Sequence, residues 1–380
     1  MNLLYSSAEA TISGANKSMC IVAETLRREG NNVYVLLPEK GPIEEELKDR
    51  GIQYFIIKSH SWIEADKKNT MLKNLKMIIK KYANLFAIKK IKMILQKYKI
   101  DIVHNNSSSS YVAVKAAQML NIKTVWHFRE FLEEDHGIRI SRFFNSKNII
   151  ENCSAGIAIS KSIYDKFSKI YKNLYIKLIY NGIKVDDFYN EKKILQNGTV
   201  TISIIGRVSA GKGQKELIDA IKIIRDEGIS NILINIVGDD TYKYAEDLKE
   251  YVKENKLDKM VEFIKPTKDI QKIYKNTDIL VVASRNEAFG RVAVEGMLSS
   301  CLVIGANTAG TKEIVKDMET GILYNQGDDK DLANKLKLAI DNNEKMNEII
   351  IKARDYAKKK FNSEQNARNI ANLYYELLKK

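Results

Sequence analysis

Short apolar, β-branched runs alternate with longer stretches of helical period along almost the whole chain. The first series of strand-like runs lies at 2–5, 33–37, 54–57, 102–104, 124–127, 156–159 and 176–179, and helical patterns such as 18–29, 43–50 and 111–120 separate them. A second series lies at 200–205, 232–237, 260–264, 279–283, 302–304 and 321–323. These runs are apolar throughout rather than alternating, which is the pattern of strands buried on both faces. Strands that take turns with helices predict a parallel, doubly wound α/β sheet. The turn signal Asn181-Gly182 and the polar stretch 189–198 break the rhythm. A chain of 380 residues exceeds one ordinary core. Two Rossmann-like domains facing a central cleft are therefore expected, 1–188 and 189–362, with the helical pattern 363–380 crossing back onto the first.

In such sheets ligands bind at the loops that follow strands. After the run 279–283 the chain reads Ser284-Arg-Asn-Glu-Ala-Phe-Gly-Arg-Val-Ala-Val-Glu295. Glu287 then lies in a strand-to-helix loop, and Glu295 lies about one turn inside the helix, four residues beyond Arg291. Two carboxylates at one crevice suit a hydroxyl-rich ligand, because an ionised carboxylate only accepts hydrogen bonds. The alternative is one solvated glutamate and one salt-bridged to Arg291.

A second loop, Gly206-Arg-Val-Ser-Ala-Gly-Lys-Gly213, joins the run 200–205 to a helix opening near Gln214. Helix-terminal amides favour anions, and Arg207 and Lys212 add two positive charges, so the loop reads as a diphosphate cradle. Gly206-x4-Gly211-Lys212 is most of a P-loop, but Gly213 stands where a P-loop needs Ser or Thr to hold magnesium. Near the N-terminus, Ser13-Gly14-Ala15-Asn16-Lys17-Ser18 follows the first strand and offers a backbone that a phosphate or sugar can approach closely. It is not GxGxxG, and no acidic ribose reader ends the second strand, which disfavours a dinucleotide-dependent dehydrogenase.

The four histidines are His60, His104, His127 and His136. His127 ends an apolar strand and is followed by Phe128, Arg129 and Glu130, which puts an imidazole, a guanidinium and a carboxylate at one strand end. Such a His can hydrogen-bond a sugar; a histidine satisfied within the fold is the alternative. His104 ends another strand, before the polar loop Asn105-Asn106-Ser107-Ser108-Ser109-Ser110. No His, Cys or Asp cluster has metal-ligand spacing, so neither a metal nor another cofactor is expected. Asp239-Asp240 reads as a turn or helix cap.

Composition narrows the setting. Three separated cysteines without a CxxC suggest a reducing compartment. No apolar run approaches the roughly 20 residues that span a bilayer, and no basic-then-apolar signal segment opens the chain, so a cytoplasmic location is expected. The net charge of +14 is concentrated in part between residues 67 and 100, where eleven lysines and no acidic residue are interleaved with Leu72, Leu75, Ile79, Leu85, Phe86 and other apolar side chains. A basic amphipathic helix can rest on anionic lipid, each lysine near the surface contributing roughly 1 kcal/mol; a core-packing helix with a solvated lysine face is the alternative. Few arginines and aromatics accompany these lysines, which disfavours nucleic acid as a partner.

Taken in order, these motifs resemble the retaining glycosyltransferases of family 4 (glycosyl transferases group 1), which have the GT-B fold. Gly206–Gly213 is similar to their Gly-Arg-x-Ser-x-x-Lys-Gly loop, Glu287-x7-Glu295 to their paired glutamates, and Asn181-Gly-Ile-x4-Phe188 to their segment before the hinge. Ala309-Gly-Thr-x-Glu-Ile-Val315 and Thr320-Gly-Ile-Leu323 resemble the stretch that follows. The resemblance covers essentially the whole chain. It implies a metal-independent transfer of a sugar from a UDP- or GDP-linked donor to a glycan or lipid-linked acceptor, in the synthesis of cell-surface polysaccharide. Arg207 and Lys212 would neutralise the diphosphate, Glu295 would hold the ribose, and Glu287 with Ala288, Phe289 and Gly290 would contact the sugar. His127 would lie near the transferred sugar and Gly14 in the N-terminal glycine loop. Three departures stand out: Ser13 in place of a second glycine, Arg291 where an apolar residue is usual (an extra cation to touch the donor or to pair with Glu295), and Met297 with Ser299-Ser300 in place of Ala and Gly choices. A P-loop-like phosphoryl-transfer enzyme and a non-catalytic nucleotide-sugar-binding scaffold are the competing readings.

Overall fold

Apolar runs without a polar face need burial on both sides, and a parallel sheet covered by helices supplies it. The computed structural model describes residues 1–65, 71–191 and 198–379, with all their side chains except that of His136, and contains two such sheets. The chain divides into two compact units: Met1–Gly182 together with the C-terminal helix Ser363–Leu378, and Ile183–Asn362.

The first unit contains, in chain order, β1 (Asn2–Ser6), β2 (Asn32–Leu37), β3 (Gln53–Ile56), β4 (Ile63–Ala65), β5 (Ile102–Asn105), β6 (Lys123–Phe128), β7 (Ile138–Ile140), β8 (Ala155–Ala158) and β9 (Ile176–Leu178). Seven of them form one parallel sheet in the order β3-β2-β1-β5-β6-β8-β9. The sequence pattern misses β4 and β7, a short antiparallel pair held partly by an ion pair of 3.1 Å between Glu64 and Arg139. One core cluster joins Leu3, Tyr5, Val35, Met19 and Leu26 to Ile370, Leu373, Tyr374 and Leu377 of the C-terminal helix, which packs on the helix Gly14–Arg28.

Residues 67–70 of the basic segment lie outside the described residues; from Met71 to Lys97 it is one helix. Asn84, Ala87, Ile88, Ile91 and Leu95 are buried, and Asn84 is clamped to the backbone of His60 by bonds of 2.8 and 2.9 Å. Core packing therefore explains only part of the apolar pattern. Leu72, Leu75, Ile79, Leu85 and Phe86 are exposed, the last at 75%.

The second unit contains β10 (Val200–Ile205), β11 (Ile232–Val237), β12 (Val261–Ile264), β13 (Ile279–Val282), β14 (Leu302–Ala306) and β15 (Ile322–Tyr324), parallel throughout and ordered β12-β11-β10-β13-β14-β15. Strand order reverses between β10 and β13. The segment 183–188, assigned from sequence to the first domain, belongs here. Ile183 donates to the Phe361 carbonyl at 2.7 Å, and Ser299 Oγ donates to the Phe188 carbonyl at 3.0 Å. Ser300 Oγ likewise bonds the Asn190 carbonyl. The two serines that depart from the family pattern thus fasten this segment to the second unit. Of the polar stretch 189–198, residues 192–197 lie outside the described residues.

Candidate active site

Reversal of strand order opens a crevice at the carboxyl ends of the two strands that flank it. In the second unit these are β10 and β13, and the two sequence motifs are the loops that leave them. The loop after β10 runs through a short 3-10 turn, Ala210–Lys212, into the helix Gln214–Asp226. Gln214 is fully buried and folds the loop, its Nε2 donating to the Arg207 carbonyl at 3.0 Å. Gly213 has φ +76, and a Cβ there would lie 2.4 Å from the Ala283 Cβ and 2.5 Å from the Ala283 carbonyl oxygen. Only glycine fits. The magnesium-holding hydroxyl of a P-loop has no room at this position.

The loop after β13 reaches the helix Arg291–Leu298 through Gly290, which has φ +98. Its middle is fixed by the Gly310 N–H donating to the Glu287 carbonyl at 2.8 Å, and Arg285 N–H donates across to the Gly211 carbonyl at 3.0 Å. The two loops are therefore one unit of structure. At their meeting point Lys212 Nζ lies 2.9 Å from Glu287 Oε2. Lys212 keeps 38% of its side chain exposed and Glu287 23%. Arg207 stays at the rim, over the Tyr242 ring. Ala288 and Phe289 lie between the glutamates, with Phe289 buried against Phe361.

Glu295 is buried, with one oxygen 2.6 Å from Arg291 Nε and the other accepting the Tyr274 hydroxyl at 2.8 Å. The unusual Arg291 is thus the counter-charge of Glu295. Tyr274 is fully buried, and burial with the adjacent carboxylate pushes its hydroxyl well above the ordinary tyrosine value.

In the first unit the order reverses between β1 and β5. Ser13, which replaces a glycine of the family pattern, caps the helix Gly14–Arg28: its side chain accepts the Asn16 N–H, and its φ of −88 needs no glycine. The buried Asn16 binds the carbonyls of Thr11 and Glu9 and accepts the Ser7 hydroxyl, fixing the loop before Gly14. Arg129 donates to Asn106 at 3.0 Å and to Asn181 at 2.8 Å. His127 Nδ1 and His104 Nε2 are 2.9 Å apart, and His104 Nδ1 meets the Tyr374 hydroxyl at 2.6 Å. Burial, and then the charge of Arg129, holds both imidazoles well below their ordinary value. Glu130 accepts the Ser108 N–H at 2.8 Å and the Ser107 hydroxyl at 3.1 Å, and burial pushes its carboxyl up to about 7.

The structure brings Lys212 to Glu287 and Arg291 to Glu295 in one unit, and places Gly14 and His127 in the other. Sequence reading missed Tyr274, Gln214 and Tyr374, and named Asn106 only as part of the polar loop after His104. Gln214 alone had a local signal, its place directly after the glycine that ends the loop. Asp239 forms a turn, accepting from the Thr241 hydroxyl at 2.8 Å. Among the described residues no group of three His, Cys, Asp or Glu side chains gathers to hold a metal, and no helix is long and apolar enough to cross a membrane.

Comparison with known proteins identifies the family and the fold. Residues 185–356 match the family model described as glycosyl transferases group 1, and residues 12–187 that described as glycosyltransferase family 4. An uncharacterized glycosyltransferase of Methanocaldococcus jannaschii is 29% identical over 344 residues, covering 88% of this chain and 92% of the relative. The capsular polysaccharide biosynthesis glycosyltransferase CapM of Staphylococcus aureus is 30% identical over 179 residues, covering 47% of this chain and 46% of its own. Among solved structures, Anabaena HepE in complex with UDP and glucose superposes with a TM-score of 0.78 at 21% identity, covering 98% of this chain and 99% of that one. The fold is GT-B.

Proposed function

The chain belongs to the group 1 glycosyltransferases of family 4, and on that premise we propose that it is a retaining, metal-independent enzyme. It moves a sugar from a UDP- or GDP-linked donor to a glycan or lipid-linked acceptor of a cell-surface polysaccharide. The observation that carries this reading is the Lys212–Glu287 pair at the point where strand order reverses. An ammonium has three N–H donors. One serves Glu287, and two remain for phosphate oxygens. Arg207 at the same rim adds a second cation, so the charge that develops on the departing diphosphate meets groups already in place. One oxygen of Glu295 meets Arg291 and the other Tyr274, and a carboxylate oxygen can accept more than one hydrogen bond, so a ribose hydroxyl can be held there as well. Glu287 and the backbone from Ala288 to Gly290 hold the sugar, and His127 hydrogen-bonds it.

The anomeric carbon–oxygen bond to the diphosphate breaks as the acceptor oxygen bonds to that carbon on the same face, and the acceptor's proton passes to the departing phosphate. CapM is named for capsular polysaccharide, and HepE binds UDP with glucose; both favour the polysaccharide and UDP branches. The exposed apolar and basic face of the helix Met71–Lys97 suits an anionic lipid surface that presents the acceptor. Thermal shift with a panel of UDP-, GDP- and ADP-sugars tests the donor, with stabilisation expected from a UDP- or GDP-sugar. With acceptor present, release of nucleotide diphosphate should be suppressed in Lys212→Ala and Glu295→Ala; full activity in both would overturn the site.

A further inference from the structure

Four side chains of the first unit form one hydrogen-bonded line. Tyr5 of β1 meets the Tyr374 hydroxyl at 2.7 Å, Tyr374 meets His104 Nδ1 at 2.6 Å, and His104 Nε2 meets His127 Nδ1 at 2.9 Å. All four are buried. The Tyr5 ring also stacks on His104 at 4.6 Å between centroids. At the far end His127 Nε2 is buried and has no hydrogen-bond partner among the described residues.

Both imidazoles are held neutral by burial and by Arg129, so a single proton lies between them and the line can run in only two directions. In one, Tyr5 donates to Tyr374, Tyr374 to His104 Nδ1, and His104 Nε2–H to His127 Nδ1, which leaves His127 with its proton on Nε2. In the other every bond is reversed. His127 then carries its proton on Nδ1, and the Tyr5 hydroxyl proton ends the line with no further acceptor among the described residues. A buried donor left unsatisfied costs about 1–3 kcal/mol. The second direction leaves such a donor at Tyr5 whatever binds; the first leaves it at His127 Nε2, where a ligand oxygen satisfies it, so a bound donor sugar selects the first direction by the same amount.

We infer that Tyr5, Tyr374 and His104 are positioning residues that fix His127 as the Nε2–H tautomer, so that the sugar group it meets must be a hydrogen-bond acceptor. The inference rests on the reading above that His127 touches the transferred sugar. It also gives the C-terminal helix a part in the site, because that helix supplies Tyr374.

With four histidines in the chain, long-range 15N–1H correlation spectra of the 15N-histidine-labelled full chain resolve each tautomer, with His127→Gln assigning its signal. The expected wild-type pattern with the stabilising nucleotide-sugar bound is an unprotonated Nδ1 and a protonated Nε2; a protonated Nδ1 in that complex overturns the inference. Two variants then test control by His104. In His104→Gln the amide N–H takes the place of the Nε2–H donor, so the tautomer should persist and kcat should stay within a few-fold of wild type. In His104→Glu, at pH 8, an acceptor faces His127, so the proton should move to Nδ1 and kcat should fall about 10- to 100-fold with little change in KM. An unmoved proton in a folded His104→Glu overturns the control by His104. A moved proton with unchanged kcat supports the tautomer control and refutes the sugar contact of His127, so the two failures are distinct. If His104→Glu does not fold, the wild-type spectrum decides alone.

Discussion

Lys212 Nζ and Glu287 Oε2 lie 2.9 Å apart although 75 residues separate them in sequence. They meet because their loops leave β10 and β13, the neighbours on either side of the reversal in strand order. On the proposed function the pair divides its labour, the cation toward phosphate and the carboxylate toward sugar. Lys212→Ala should therefore abolish the thermal stabilisation by UDP and lower kcat/KM by about 10²- to 10³-fold, the usual effect of removing one preorganised donor. Glu287→Gln should keep most of the UDP stabilisation and lose kcat with the full donor. Equal loss of UDP stabilisation in both variants would refute the division.

Gly213→Ser separates the sugar-transfer reading from the P-loop reading. The new side chain meets both a left-handed backbone and the Ala283 atoms at 2.4–2.5 Å. Backbone strain of this kind costs about 1–3 kcal/mol and overpacking a similar amount. The variant should melt roughly 5–10 °C lower and gain no magnesium-dependent ATP hydrolysis. A variant of unchanged Tm that hydrolyses ATP would revive the phosphoryl-transfer alternative.

Much of the fold was legible because parallel strands buried on both sides leave unbroken apolar runs: 200–205 and 232–237 are strands to the residue. The pair β4 and β7 left no such run, being three residues long and partly polar. The loops were legible because their glycines and charges are contiguous in sequence. Tyr274 and Tyr374 were not, since their partners are 21 and 270 residues away and a tyrosine in a helical pattern reads as ordinary core. The end of the first domain was placed late because nothing within 183–188 shows that Ser299 and Phe361 hold it.

Glu295 is oriented from two sides, by Arg291 Nε and by the Tyr274 hydroxyl. Tyr274→Phe should reduce stability by about 1–3 kcal/mol, since a buried carboxylate oxygen loses its donor. It should also weaken UDP binding while having little effect on an analogue lacking both ribose hydroxyls. Arg291→Leu, which restores the more usual residue type, should act in the same direction. Calorimetry with UDP and its dideoxy analogue measures both, and equal weakening for the two ligands would show that Glu295 does not read the ribose.

Lipid contact through the helix Met71–Lys97 has a compact test. Leu75 and Phe86 are 54% and 75% exposed on a helix with no acidic residue. The chain should sediment with vesicles containing phosphatidylglycerol and much less with neutral phosphatidylcholine, with binding that falls as salt rises. Leu75→Glu with Phe86→Glu should abolish sedimentation without lowering Tm, because neither side chain is in the core. Binding that survives the double substitution would place the lipid contact elsewhere.

Acid stability reports on Glu130 and the two buried histidines of the first unit, which pull in opposite directions. Burial raises the Glu130 carboxyl from 4.5 to about 7, with Asp135 reinforcing the rise and bonds from Ser108 and Ser107 and the charge of Arg129 opposing it. Between those values the folded chain holds a proton that the unfolded chain has released, so this contribution is complete below pH 4.5 and is lost as pH rises through about 7. His104 and His127 behave the other way. Held neutral when folded, they contribute stability above the ordinary histidine value of 6.5, and that stability is lost as pH falls below it. In the wild type the two trends partly cancel on acidification from neutrality. Glu130→Gln can keep the acceptor for Ser108 and has no carboxyl to ionise. It should be more stable than wild type at pH 8 by up to about 3 kcal/mol, the free energy of moving a carboxyl from 4.5 to about 7. It should also lose stability more steeply between pH 7 and 5, where the histidine loss is no longer offset. Urea titrations of both proteins at pH 5, 6, 7 and 8 measure the difference, and parallel stability curves would show that Glu130 ionises alike in the folded and unfolded chains.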